Sequence, residues 1–374
     1  MTDAAPSPRT DVSYPSRVLG LLAAGAAGDA LGYAVEFDSV DRILGRLGAA
    51  GVTDGPALAA VSGVSALPVS GDTQMTLYVL DGMLEWIEWQ NAGQASDPAA
   101  CVWLACLRWL RTQDGALPDG APPAQDRWID AHTELHAQRA PGMACLSGLR
   151  SSGMGVVPDP KNPDSKGCGA VMRSAPYGMV PGLEDHHVAS FARQGAVLTH
   201  GHPTGWTAAA AFALTVSALF DGAELRGALE HPRTWLDSTG EDGAETRAAL
   251  DGALAEAARA VEAGDDVGAP GTLPASLGEG WVAEEALAIA AYAALVAEAR
   301  AEDPAAALGL ALRIGANHDG DSDSTAALAG QLVGARHGMA VFGSRGQDAD
   351  SVPAWITERE VVAEAARRWI AATT

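Results

Sequence analysis

Positive charge is what this sequence has least of: Lys and Arg number 24 against 47 Asp and Glu, giving a net charge of −23 spread along the chain. Gripping a nucleic-acid backbone takes clustered cations, so direct binding to nucleic acid is not expected. Any phosphate ligand would have to be met by metal ions or backbone N–H groups. Cys101, Cys106, Cys145 and Cys168 form neither a C-x-x-C pair nor another zinc or redox spacing. They fit four free thiols in a reducing, cytoplasmic setting. No basic stretch followed by an apolar run opens the chain, so no secretory signal is expected. The longest apolar runs, near residues 206–220 and 286–297, are Ala-rich and shorter than the roughly 20 residues of a bilayer span, so no membrane association is expected. They read as buried helices of a soluble protein, for which a monomer is the expectation.

Strand-like alternation of Val, Ile, Thr and Tyr is also hard to find. Apolar positions recur instead at steps of three and four over residues 18–27, 73–88, 98–111, 204–219, 244–263, 281–300, 304–314, 325–334 and 358–371. The fold class expected is all-α, a compact orthogonal helical bundle, and the abundance of Ala permits close helix packing. Residues 1–16 lack periodicity and are expected to be a flexible arm, with residues 17–374 as a single domain. Long Gly-, Pro- and Asp-rich connections at 114–125, 153–169 and 264–280 have the length of functional or mobile loops.

Several large enzyme classes are excluded by missing motifs: there is no Gly-x-Ser-x-Gly elbow, Walker loop, Rossmann fingerprint or His-Glu-x-x-His. What is present is a set of small residues bracketing polar ones. In "GLLAAGAAGDALGYAVEF", Asp29 ends an apolar helix, Glu36 follows, and glycines at 25, 28 and 32 allow a backbone or ligand to approach closely. In "VSGDTQMTLYVLDGML", Ser70, Asp72 and Thr73 precede a helix, where Asp or Thr can serve simply as the N-cap. "SKGCGAVMRSAP" offers the backbone N–H groups of a Gly-x-Gly and the rare cation Arg173; a plain loop and an anion cradle are both open readings. His200 and His202, before another Ala-rich helix, are either structural or substrate contacts.

"HDGDSDSTAALAG", residues 318–330, fails as an EF-hand, because counting from Asp319 puts Ser324 and Gly330 where Gly and Glu are needed. It still puts Asp321, Asp323, Ser322 and Ser324 together at a helix start. Capping needs one aspartate, and a second beside it invites a hard divalent cation such as Mg²⁺ or Mn²⁺.

In this order, over roughly residues 17–340, these stretches resemble the ADP-ribosylglycohydrolase family, which "GWVAEEALAIAAYAAL" from Gly280 also resembles. The resemblance implies an all-α fold with two Mg²⁺ or Mn²⁺ ions, releasing ADP-ribose from a mono-ADP-ribosylated substrate such as a protein arginine. It assigns metal binding to Ser70, Asp72, Asp321, Asp323 and Ser324. Asp72 and Asp321 are thereby catalytic, with Glu36 positioning ribose or water. The substrate contacts it implies are Gly167, Cys168, Gly169, Met172 and Arg173 around the diphosphate and ribose, and His200 against ADP-ribose. Gly71 departs from the pattern, which has an aspartate there; one of the two ions should then bind more weakly. The alternative is a receptor for ADP-ribose or a nucleotide that has lost catalysis with that aspartate. A purely structural scaffold is the third reading.

Overall fold

The computed structural model describes residues 12–123, 125–151, 153–343 and 351–374. Among these there is no β-sheet; three isolated bridges are the only strand-like pairings. Each expected helix is present: α1 (Tyr14–Tyr33), α2 (Gly71–Asn91), α3 (Pro98–Asp114), α4 (Pro203–Phe220), α5 (Ala244–Ala263), α6 (Ala283–Arg300), α7 (Pro304–Ala316), α8 (Ser322–His337) and α9 (Arg359–Thr373).

Most of these helices begin where sequence chemistry offers a cap. Ser13, Ser70, Asp97, Asp303 and Asp321 each accept a backbone N–H bond in the first turn of α1, α2, α3, α7 and α8. Pro98, Pro203 and Pro304 stand at first helical positions, where the missing N–H is no loss. Two expectations shift as a result. Helix α1 starts at Tyr14, inside the stretch read as an arm, because Ser13 caps it and Pro15 suits its first turn. The remainder of that arm, residues 1–11, lies outside the described residues. Asp29 does not end its helix; α1 continues one further turn to Tyr33.

The core is dominated by Ala and Leu, and its central contact is the antiparallel pairing of α1 with α8. A stripe of glycines makes this possible. A Cβ added at Gly28 would stand 2.1 Å from the Ala326 carbonyl oxygen, at Gly32 2.0 Å from that of Ser322, and at Gly334 2.2 Å from that of Gly20. Only bare backbones fit at that separation, so the close approach foreseen for these glycines is of helix to helix. Its consequence is local: the last turns of α1, with Asp29, are pressed against the first turn of α8, with Asp323.

Helix α4 is as long and apolar as a membrane-crossing segment, unlike the sequence expectation, and 89% of it is buried within the protein. Shorter helices that the periodicity does not announce, among them Val40–Leu47, Met143–Arg150 and Asp185–Ala196, cover the core on one face only.

Candidate functional site

The first turn of α2 shows how the site is built. Ser70 Oγ accepts from Asp72 N at 3.1 Å, and Asp29, reaching across from α1, accepts from Ser70 N at 2.8 Å and Thr73 N at 2.9 Å. These two groups satisfy the N–H donors of Asp72 and Thr73 at the helix end. Asp72 is therefore released from the capping role that its position suggested. Its carboxylate instead accepts from Ser324 Oγ on α8 at 2.5 Å.

At the start of α8, Asp321 accepts from Ser324 N at 3.4 Å and from the Cys168 thiol at 2.7 Å, and Asp323 accepts from Ser324 N at 2.9 Å. Gly320, at φ +146°, lets Asp321 N reach the Glu279 carbonyl at 2.9 Å, which fixes the loop entering the helix.

Asp72, Asp321, Asp323 and Glu36 thus meet along one wall of a cavity of about 430 Å³, together with Ser324. The rest of the lining is Gly167, Gly169, Met172 and His200, with Cys168 reaching to Asp321 between them, and a segment from Ala140 to Cys145 that sequence reasoning missed. Apart from the buried thiol of Cys145, that segment has no reactive side chain to announce it. It is held over α2 by Gly71 N donating to Arg139 O at 2.7 Å, by Gln74 Nε2 donating to Ala137 O at 2.9 Å, and by the pairing of Arg139 with buried Glu358. Phe37, Met143 and Trp281 also line the cavity, and at 73%, 79% and 42% exposure they form an apolar rim.

The electrostatics follow from crowding acids away from water. Burial, then the neighbouring Asp323 carboxylate, raises Asp29 to about 7 and Glu36 to about 9, with Asp321 adding to the push on Glu36. Asp72 and Asp321 are driven well above the ordinary carboxylate range by the same two causes in the same order. Burial, then Asp321, raises the Cys168 thiol as well, so Cys168 stands beside the acids as a neutral donor. Glu36 Oε2 is buried without a hydrogen-bond partner.

His200 is a neutral group in the lining of the same cavity. Burial and the nearby Arg173 guanidinium lower it to about 3. Arg173 Nη2 donates to Thr199 Oγ1 at 2.6 Å, and that hydroxyl lies 2.7 Å from His200 Nδ1. A hydroxyl already accepting from Arg173 has its own proton to give to Nδ1, which leaves Nε2 of His200 as the N–H donor.

Three expected site residues are placed differently. Arg173 is 1% exposed and does not line the cavity; Thr199, the Gly195 carbonyl, and the sulfurs of Met75 and Cys145 take its donors, so it braces His200 from behind. Ser70 is fully buried as the α2 cap and is also absent from the cavity wall. His202, open between two readings, caps α4 by accepting from Thr204 N at 3.2 Å. In the Gly-x-Gly loop, Cys168 N is not a bare donor, because it bonds the Trp281 carbonyl at 3.2 Å. Gly71 has no room for a side chain: a Cβ there would lie 2.9 Å from both Ala140 O and Pro141 Cα.

Among the described residues no three His, Cys, Asp or Glu side chains converge on a point that could hold a metal ion. The donor chemistry nonetheless suits a hard cation. Four carboxylates share one wall, all held by neutral donors or none, and one oxygen, Glu36 Oε2, lacks any partner.

The described residues thus form an all-helical protein with buried acids lining an apolar-rimmed cavity. The chain belongs to the ADP-ribosylglycohydrolase family, whose model matches residues 10–372. As a member of that family it falls among the glycohydrolases of ADP-ribosylated substrates. A solved structure described as an ADP-ribosylglycohydrolase-related protein complex has the same fold, at a TM-score of 0.58 and 22% identity, covering 96% of this chain and 99% of that one. No curated protein matches the chain.

Proposed function

We propose that this protein is a cation-dependent hydrolase that cleaves the glycosidic bond between ADP-ribose and the side chain of a mono-ADP-ribosylated substrate. The observation that carries the reading is the shared wall of Glu36, Asp72, Asp321 and Asp323 in a cavity whose volume lies within the roughly 300–1,000 Å³ of small-molecule sites. Four acids crowded away from water ionise together only when a cation offsets their charge, so the wall suits a cation set between it and an anionic diphosphate.

Asp72, Asp321, Asp323 and Ser324 would hold Mg²⁺ or Mn²⁺. When bound, such an ion would orient substrate oxygens and lower the pKa of the water it holds toward neutrality. Two ions remain the family-based expectation, with the second weakened by Gly71. The protein's own groups do the rest. Glu36, with its unpartnered oxygen at the cavity wall, is positioned to accept a ribose hydroxyl or an attacking water. His200 Nε2–H supplies a neutral donor from the lining of the same cavity. The exposed faces of Phe37 and Trp281 fit a planar base at the mouth, and the apolar 140–145 segment excludes water from the bond being broken. Charge developing on ribose in an oxocarbenium-like transition state is stabilised by the acidic wall.

The receptor reading rests on Gly71 alone. The steric fit of Gly71 against Ala140 and Pro141 supplies another reason for glycine there, and so weakens it. The test compares release of ADP-ribose by the wild type with that by Asp321→Ala and Asp323→Ala. Loss of turnover in both, with ADP-ribose still bound and the helical content unchanged, is the expected result. Undiminished turnover in both variants contradicts the assignment.

A further inference from the structure

Glu36 sits on a turn with little apolar contact to hold it. Val35 is buried on one side of it, but Phe37 on the other points to solvent. Glu36 itself is buried beside Asp323, Asp321 and Asp29, and a glutamate in that company gains by swinging out to water. Two backbone bonds close the turn, Val35 N donating to Gly32 O at 2.9 Å and Asp38 N to Val35 O at 2.8 Å. Both run back along the same stretch of chain, so neither ties the turn to a second element.

The tie comes from Asp38. Its buried carboxylate forms ion pairs with Arg42 Nε at 2.8 Å and Arg46 Nη1 at 2.9 Å. These arginines are four residues apart on the short helix Val40–Leu47, which places them on one face of it. Arg42 is 72% exposed, and a pair so open to water contributes little. The hold therefore falls to Arg46, whose Nη2 also donates to Ala34 O at 2.7 Å, so that one guanidinium grips the turn at residues 34 and 38 together. The helix beneath it is anchored in turn: Ile43 is fully buried, and Val40 N donates to Asp319 Oδ1 at 2.6 Å, two residues before Asp321. The turn that carries Glu36 is thus fastened, through this helix, to the loop that leads into Asp321 and Asp323.

We propose that Asp38 and Arg46 form a clamp that positions Glu36: by pinning residues 34 and 38 to the helix Val40–Leu47, they keep the Glu36 carboxylate on the cavity wall. Both are positioning residues, since neither lines the cavity. The effect of the clamp on turnover rests on the hydrolase reading above; its fixing of the turn does not.

The test compares the full-length wild type with Arg46→Met, Asp38→Asn and the double variant, by hydrogen–deuterium exchange and by release of ADP-ribose from ADP-ribosyl-arginine peptide in saturating Mn²⁺. Met keeps an aliphatic stem at a half-exposed position, so Arg46→Met should retain the fold even if Asp38→Asn does not. The expected result is exchange at the amides of residues 35 and 38 that is faster by about tenfold in each variant, with the first turns of α2 and α8 exchanging as in the wild type. The value of kcat should fall about tenfold while KM and the affinity for Mn²⁺ stay within about twofold. The double variant should be no worse than Asp38→Asn alone, because both substitutions cut the same link. Wild-type exchange at residues 35 and 38, an unchanged kcat, or Mn²⁺ affinity that falls in step with kcat overturns the proposal. A wild type that releases no ADP-ribose, with exchange in the turn still dependent on Arg46, would remove the hydrolase reading and leave the clamp standing.

Discussion

Ser324 Oγ donates to Asp72 Oδ2 at 2.5 Å, joining the first turns of α8 and α2 across 252 positions of sequence. This bond holds in register two acidic helix starts that would otherwise repel. Because both residues are buried, Ser324→Ala leaves a carboxylate short of a donor. The variant should lose about 1–3 kcal/mol of stability in urea unfolding. Its affinity for Mn²⁺ should fall several-fold, and Ser324→Thr should recover both. Wild-type values for Ser324→Ala in both measurements would detach the bond from the site.

The acidic wall also makes a statement about pH. Asp29 and Glu36 have folded-state values raised to about 7 and about 9, above their ordinary 3.8 and 4.5. A raised carboxylate contributes most below its unfolded value and loses that contribution as pH climbs through the folded one. In the presence of chelator, the melting temperature should therefore decline between about pH 4 and pH 9 relative to Glu36→Gln, which cannot ionise there. Mn²⁺ should flatten the decline, and its binding should release protons, read as a buffer-dependent heat near pH 7. Parallel profiles for wild type and Glu36→Gln would show that Glu36 does not titrate as described.

Thr199 links Arg173 to His200, and its hydroxyl is the only polar atom it can offer to both. Thr199→Val keeps the shape and removes the link. Leaving a buried guanidinium without that acceptor should destabilise the protein by about 1–3 kcal/mol. The ring of His200 would lose its fixed tautomer, seen as a change in its ¹⁵N shifts, and KM should rise more than kcat falls. Thr199→Ser should behave as wild type. Unaltered His200 shifts in Thr199→Val would remove the link from the account.

Gly71 stands where the pattern implied by the resemblance has an aspartate, and restoring an aspartate there is the obvious repair. The structure predicts the opposite of repair. With Ala140 O and Pro141 Cα each 2.9 Å from a new Cβ, even Gly71→Ala forces the backbone that roofs the cavity to move, at about 1–3 kcal/mol. Gly71→Asp should be at least as destabilised and should not bind Mn²⁺ more tightly. A Gly71→Asp protein of full stability and higher Mn²⁺ affinity would contradict this.

The helices were legible in the sequence because their Ala- and Leu-rich runs are too long for strands, and α2, α4 and α6, buried nearly all round over most of their length, lie within three residues of the expected bounds. Their ends were less so. Residue 325 was read as the start of α8, yet the helix begins at Ser322, since Asp321 is the aspartate that caps it. Helix Asp185–Ala196 escaped notice because its buried side is narrow and its outward side carries His and Arg. That Glu36, Asp72, Asp321, Asp323 and Ser324 would share one cavity lining was legible because acids and hydroxyls beside small residues are chemically conspicuous. Arg173 was misplaced because a scarce cation in a Gly-rich loop looks available, whereas its partners Thr199 and Gly195 lie more than twenty positions away. The roof at 140–145 and the capping of α2 by Asp29 are tertiary facts with no local signature.

The central claim is tested most directly by following release of free ADP-ribose from ADP-ribosyl-arginine peptide by the wild-type protein with Mg²⁺ or Mn²⁺, and again with excess chelator. The account predicts release that chelation stops and that returned cation restores. ADP-ribose that binds but is never released from the peptide, with either cation at saturation, would contradict it and identify the protein as a receptor.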